Sequence, residues 1–268
     1  MTNTKKPVCL TIAGLDPSGG AGVIADVKTF TAFGCFAAAA VTSLTFQNTT
    51  GVFGSVHQTP DTVARQIDAV LDDYDVAAVK TGMLPTGEII DRVADIIKKR
   101  ELRNIVVDPV VRSTSGFDLI DNAALRALIE KLFPLADLVT PNLLEAERIT
   151  GITIKSADDI QRAASLMRSM GARNVLIKGG HLLKGEAERR KAKAVDRLFV
   201  DGQLFEFSSE YIDTTATHGT GCVLSSAIAA NLALGKGLRE SVQTAKDFVT
   251  NAIRTAPMLG HGHSPINI

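Results

Sequence analysis

The stretch VCLTIAGLDPSGGAGVIADVKTF, Val8 to Phe30, sets the architecture of the chain. Val8–Ala13 is a short apolar, β-branched run and reads as a strand, while Ala21–Phe33 carries helical spacing of apolar residues. A glycine cluster, Ala13–Asp26, joins them. A strand that passes through a glycine turn into a helix is the opening of a parallel α/β unit.

The glycine cluster resembles two nucleotide loops and fits neither. No GK[ST] ends it, so it is not a P-loop. Gly20-Ala-Gly22-Val-Ile-Ala25 mimics the dinucleotide fingerprint, which also needs an acid at the end of the next strand. Here the next acid after Asp26 is Asp61. What remains is a tight turn that lets backbone approach a small ligand.

The same alternation continues outward. Ala38–Leu44, Val52–His57, Ala77–Thr81, Asn104–Val107, Leu138–Thr140 and Asn174–Lys178 read as strands, with Val52–His57 at an edge. Thr62–Leu71, Glu88–Lys99, Asn122–Phe133, Leu143–Thr150, Ala157–Met170, Gly221–Leu234 and Ser241–Thr255 read as helices. Asp196–Val200 and Gln203–Phe207 flank Asp201-Gly202, a hairpin signal. The expected fold is α/β: one domain over residues 1–268, a mostly parallel central sheet with helices on both faces, and a ligand site at the carboxyl ends of the strands.

Composition excludes several function classes. The 268 residues carry a formal net charge of zero, which removes a global attraction to nucleic acid or an anionic membrane. The cation-rich segment Lys184–Ala194 reads as a solvated loop, because Trp is absent and Tyr numbers 2. No apolar run reaches the length of a membrane span, and MTNTKKPVCLTIAG lacks the long apolar region of a signal peptide. Cys9, Cys35 and Cys222 are widely spaced without CxxC, which fits no disulfide framework or zinc site and makes the cytoplasm the expected compartment.

Chemistry-bearing residues gather at strand ends. Asp26 shares a helical stripe with Val23, Val27 and Phe30, so it faces a pocket or lies at the stripe's edge. Gln47 follows a strand in SLTFQNTTGV; its carboxamide either satisfies a loop or offers the paired donor and acceptor that match an aminated heterocycle. Asp108 ends the strand in NIVVDPV. Asn142 and Glu145 stand in LVTPNLLE, where they cap a helix or, with Asp108, suit a hydrated Mg²⁺. Lys178 closes NVLIK before two glycines and can meet a phosphate as a point charge. In HGTGC, Gly219 to Cys222 form a helix N-terminus whose free N–H groups make an anion site. Cys222 is then either a small buried core residue or a thiol whose pKa the helix dipole there is expected to lower. Together these features point to phosphoryl transfer.

The sequence resembles the ribokinase superfamily and, within it, the hydroxymethylpyrimidine/phosphomethylpyrimidine kinase family of thiamine biosynthesis. The likeness runs nearly end to end, through TIAGLDPSGGAGVIADVKTF, SLTFQNT, VKTGML, VVDPV, TPNLLEAE, VLIKGGH, HGTGC and the closing GHGHSPIN. The resemblance implies a three-layer ribokinase-like fold and a kinase using ATP and Mg²⁺. It implies that Asp26, Gln47, Met83 and Val110 line a pyrimidine pocket and that Cys222 is a base near the acceptor hydroxyl. Gly219, Thr220 and Gly221 would form the anion hole, Asp108 and Glu145 would support the metal, Lys178 would meet the nucleotide, and Ser115-Gly116 would belong to a flap. A homodimer is the expected assembly. Two alternatives are a pyridoxal kinase of the same superfamily, against which Gln47 and Cys222 speak, and a silent nucleotide-binding regulator, against which the intact acids, lysine and anion loop speak.

Overall fold

The computed structural model describes residues 5–111, 119–179 and 193–268. The expected flap at Ser115-Gly116 and most of the cation-rich segment lie outside the described residues. Among the described residues nine strands form one sheet in the order β3-β2-β1-β4-β5-β6-β7-β8-β9. They are β1 (Val8–Leu15), β2 (Phe36–Asn48), β3 (Gly51–His57), β4 (Val76–Thr81), β5 (Ile105–Val107), β6 (Leu138–Val139), β7 (Val175–Ile177), β8 (Lys193–Val200) and β9 (Gln203–Glu210). The run β2-β1-β4-β5-β6-β7 is parallel, and antiparallel strands flank it on both sides.

Helices cover both faces. On one side α2 (Pro60–Leu71), α3 (Gly87–Lys99), α4 (Asn122–Ala127), α5 (Leu143–Thr150) and α6 (Ala157–Ser169) share a core with Val8, Leu10 and Ile12 of β1. On the other, α1 (Gly22–Ala32), α7 (Thr220–Ala233) and α8 (Leu238–Arg254) pack with Cys9. Alternate residues of β1 thus enter different cores, as the period of a strand buried on both faces requires.

Three elements bear on the sequence expectation. The segment Asn122–Phe133 is α-helical only to Ala127; a π turn over Leu128–Leu132 and a 3₁₀ turn over Phe133–Leu135 follow. Pro134 lacks the N–H that a continuing helix needs. Gln47 lies within β2 rather than after it, because pairing with β3 carries that strand on to Asn48. The hairpin after β8 is as expected, with Asp201 and Gly202 at φ of 48° and 81°, the positive pair that a type I′ turn demands.

The strand order reverses between β1 and β4, which lie on either side of the switch point where open α/β sheets bind ligands.

Candidate active site

A cleft of about 840 Å³ opens over the carboxyl ends of β1, β4, β5 and β7. Its floor starts at Asp108, which follows β5 and is 2% exposed. Lys178, just past β7, donates to Asp108 Oδ1 at 2.7 Å and lies 3.9 Å from Glu145 Oε2. Asp108 Oδ1 also accepts from Thr140 Oγ1 at 3.2 Å. Two buried carboxylates therefore converge on one ammonium. Burial pulls the Lys178 pKa down, but Asp108 and Glu145 outweigh it and hold it above the usual range.

Glu145 has two duties. With Asn142 it forms a capping box: Asn142 N donates to Glu145 Oε2 at 2.7 Å, and Glu145 N donates to Asn142 Oδ1 at 2.9 Å. Both residues cap α5, yet Glu145 also borders the cleft. Burial pushes its pKa up to about 7, with Lys178 drawing it down and Asp108 pushing it up.

Across the cleft, α7 begins without a side-chain cap. Gly219 holds φ at 84°, and a Cβ there would meet Gly20 O at 1.8 Å, so only glycine lets the HGTGC loop rest on the β1–α1 turn. A Cβ on Gly221 would lie 3.1 Å from Lys178 Nζ and 3.9 Å from Asp108 Oδ2. The small residue keeps open the space between the helix terminus and the charged floor. The first amides of α7 have no partners within their own helix, and Thr220, Gly221 and Cys222 all border the cleft.

The half-buried Cys222 corrects one expectation. Its thiol pKa is raised to about 11, first by loss of hydration, with Lys80 opposing and Asp26 and Asp108 adding to the rise. The nearby backbone N–H of Gly22 favours the thiolate, but dehydration wins. The net shift is upward, opposite in sign to the one expected from the helix terminus.

Asp26 is the second correction. It is fully buried and does not line the cleft. Lys80 Nζ grips both carboxylate oxygens at 2.9 Å, Thr11 Oγ1 donates to Oδ2 at 2.6 Å, and Ser226 Oγ donates to Oδ1 at 2.7 Å. Lys80, in β4 beside Thr11 of β1, sits at the switch point and reaches the cleft floor. A signal for it was present: a lysine inside the apolar run AAVKT needs a buried anion.

Gln47, Met83 and Val110 all border the cleft. Met83 is 7% exposed and its carbonyl accepts from Thr42 Oγ1 at 2.7 Å. Two further residues escaped the sequence reading. Asp16, an acid in the glycine turn after β1, accepts from Ser18 N, Ser18 Oγ and Ala21 N at 2.8, 2.7 and 3.0 Å. His218 of HGTGC reaches Asp16 Oδ2 at 2.7 Å. Burial alone would raise the Asp16 pKa, but the bonds from His218 and Ser18 hold it below the usual carboxylate range.

Among the described residues no cluster of three or more His, Cys, Asp or Glu could hold a metal ion, and no helix is long and apolar enough to cross a membrane.

Comparison with known proteins bears on this site. Residues 16–267 match the phosphomethylpyrimidine kinase family. The hydroxymethylpyrimidine/phosphomethylpyrimidine kinase of Haemophilus influenzae is 44% identical over 100% of this chain and 97% of its own length. The thiamine biosynthesis bifunctional protein ThiED of Geobacter sulfurreducens is 48% identical over 96% of this chain, which spans 51% of that longer protein. Among solved structures, an ADP complex of Bacillus subtilis pyridoxal kinase superposes with a TM-score of 0.88 at 38% identity, covering 98% of this chain and 97% of the other.

Proposed function

The chain belongs to the phosphomethylpyrimidine kinase family, on a ribokinase-like fold, and from that premise we propose a double phosphorylation in thiamine biosynthesis. The terminal phosphoryl group of ATP passes to the hydroxymethyl oxygen of 4-amino-5-hydroxymethyl-2-methylpyrimidine. A second passes to the resulting monophosphate. The observation that supports this reading is one cleft bordered at once by Gln47, by Lys178 and Asp108, and by the start of α7.

In this reading Gln47 pairs with the ring nitrogen and the amino group, and Met83 and Val110 hold the ring faces. The hydroxymethyl arm points to Cys222. The amides of Gly219–Cys222 receive the charge of the moving phosphoryl group, and Lys178 meets the nucleotide phosphates. With its pKa raised to about 11 by burial, the Cys222 thiol orients the acceptor oxygen, whose proton passes to an oxygen of the transferred phosphoryl group as the new P–O bond forms and the bond to ADP breaks. Phosphoryl transfer has a loose transition state in most analyses, in which positioning and charge stabilisation dominate.

Two carboxylates facing one ammonium fit a hydrated Mg²⁺, which takes few protein ligands and keeps its waters. Asp108 and Glu145 would hold it, and it would neutralise charge on the nucleotide phosphates.

A homodimer is proposed through the sheet edge. Leu44, Phe46 and Val56 are 42%, 54% and 52% exposed, and the β2–β3 register puts Leu44 opposite Val56. Sedimentation of the chain and of a Phe46→Glu variant tests it; a monomeric wild type refutes it.

The deciding experiment is an ATP-coupled assay of the pyrimidine, its monophosphate and pyridoxal side by side. Both pyrimidines are expected to turn over faster than pyridoxal. The likeness to the pyridoxal kinase structure favours the opposite order as the second reading, and pyridoxal as the best substrate would establish it.

A further inference from the structure

The Asp16–His218 pair has a geometry that reaches past loop bracing to the choice of substrate. His218 is 6% exposed, and its ring is confined, since a Cβ on Gly20 would fall 2.4 Å from His218 Cδ2. Its Nε2 lies 2.7 Å from Asp16 Oδ2. The two lone pairs of a bare ring nitrogen and a carboxylate would repel at that distance, so Nε2 carries a proton and gives it to Asp16. The same Nε2 lies 3.4 Å from the side-chain nitrogen of Gln47. Two N–H groups then face one another across that gap.

The other end of the carboxamide leads to the same conflict. Thr45 Oγ1 lies 3.2 Å from Gln47 Oε1 and 3.0 Å from Leu15 O. One hydroxyl proton cannot serve both. A half-turn of the amide resolves both ends. The His218 Nε2–H stays with Asp16, but Gln47 Oε1 rather than a second N–H now lies against it, while Gln47 Nε2 donates to Thr45 Oγ1 and Thr45 donates to Leu15 O.

We propose that Asp16 and His218 are positioning residues that turn the oxygen of the Gln47 carboxamide toward the HGTGC loop, and so determine which ring the site accepts. The inference rests on the reading of Gln47 as the ring-binding residue. In a 4-amino-5-hydroxymethylpyrimidine the amino group stands between the ring nitrogen N3 and the hydroxymethyl arm. When Gln47 Nε2–H pairs with N3 and Oε1 accepts from the amino group, the arm lies on the oxygen's side. An oxygen turned toward His218 therefore aims the arm at the loop that contains Cys222. With the amide reversed, the ring that fits in the same pose is the 4-oxo analogue, whose carbonyl accepts from Nε2–H and whose N3–H donates to Oε1.

The test measures kcat/KM for the 4-amino pyrimidine and for its 4-oxo analogue in wild type, Asp16→Asn, Gln47→Leu and the double variant. The side-chain amide introduced by Asp16→Asn can present an N–H where Oδ2 stood, which moves the His218 proton to Nδ1 and makes Nε2 an acceptor. The amino/oxo preference is expected to fall by about tenfold or more in Asp16→Asn, the size of one reversed hydrogen bond, with KM for ATP little changed. Gln47→Leu should erase the preference, and adding Asp16→Asn to it should change nothing further. An equal loss for both rings in Asp16→Asn overturns the proposal and leaves Gln47 as the ring reader. A preference that survives Gln47→Leu overturns the reading beneath it. Imidazole ¹⁵N shifts of the wild type give a check without any variant: His218 protonated at Nε2 is expected, and a bare Nε2 refutes the proposal.

Discussion

Two lysine–aspartate pairs lie under the same thiol, and they are built for different ends. Lys80 and Asp26 meet at 2.9 Å with both side chains 0% exposed. Lys178 and Asp108 meet at 2.7 Å with 12% and 2% exposure. Around the first pair, Thr11 and Ser226 satisfy the carboxylate, and the pair bridges β1, β4, α1 and α7 at the switch point. Around the second stands another acid, Glu145, and the open cleft. A pair buried to 0% exposure, its carboxylate held by Lys80, Thr11 and Ser226, is built to stay together even where Lys80 backs the cleft floor. A pair with a surplus anion beside solvent can exchange its partners for a nucleotide and a cation.

The largest effect is expected where the sealed pair is halved. Lys80→Met leaves a buried carboxylate without its cation and should cost about 3–5 kcal/mol of folding stability, measured by urea unfolding. Lys80→Met with Asp26→Leu should recover much of that loss, because no unpaired charge remains. A single variant as stable as wild type would erase the distinction between the two pairs.

Next comes Lys178→Met. Its turnover should fall by about 10²–10³-fold, as for loss of one group that stabilises transition-state charge, while stability falls less than in Lys80→Met. Kinetics and unfolding on the same preparations check this. A stability loss matching that of Lys80→Met, with turnover intact, would make the open pair structural too.

The smallest effect is the pH dependence contributed by Glu145. Its folded pKa of about 7 lies above the ordinary value of 4.5. Between those values the folded state binds the proton that the unfolded state has lost, so stability falls as pH rises through this window and levels off above it. The slope is at most about 1.4 kcal/mol per pH unit. Unfolding without divalent cations should show a flatter profile in Glu145→Gln than in wild type. Parallel profiles would mean that Glu145 is already ionised by its cap.

The parallel sheet, its antiparallel edge at Val52–His57 and the Asp201-Gly202 hairpin were legible in the sequence, because period and turn chemistry are local. So was the gathering of Gln47, Asp108, Glu145, Lys178 and the HGTGC loop near strand ends, whereas Met83 and Val110 came only from the family resemblance. The direction in which Asp26 points was not legible. A helical stripe says which residues share a face, and an acid among apolar neighbours faces a pocket or a buried cation equally well. Lys80 settles the matter from a strand 54 residues away. The Cys222 pKa was missed for a related reason. A helix terminus is visible in sequence, whereas the dehydration that outweighs it comes from elements that pack together only in the fold.

The sequence by itself determined the alternation of strands and helices, the glycines that bring loop and turn into contact, and the residue types available for phosphoryl chemistry. These depend on backbone sterics and short-range periodicity. Folding determined which acid received which lysine and which of the two pairs was buried most deeply. Those outcomes depend on distances between segments far apart in the chain and on how much water remains around each charge, and neither quantity is written in local order.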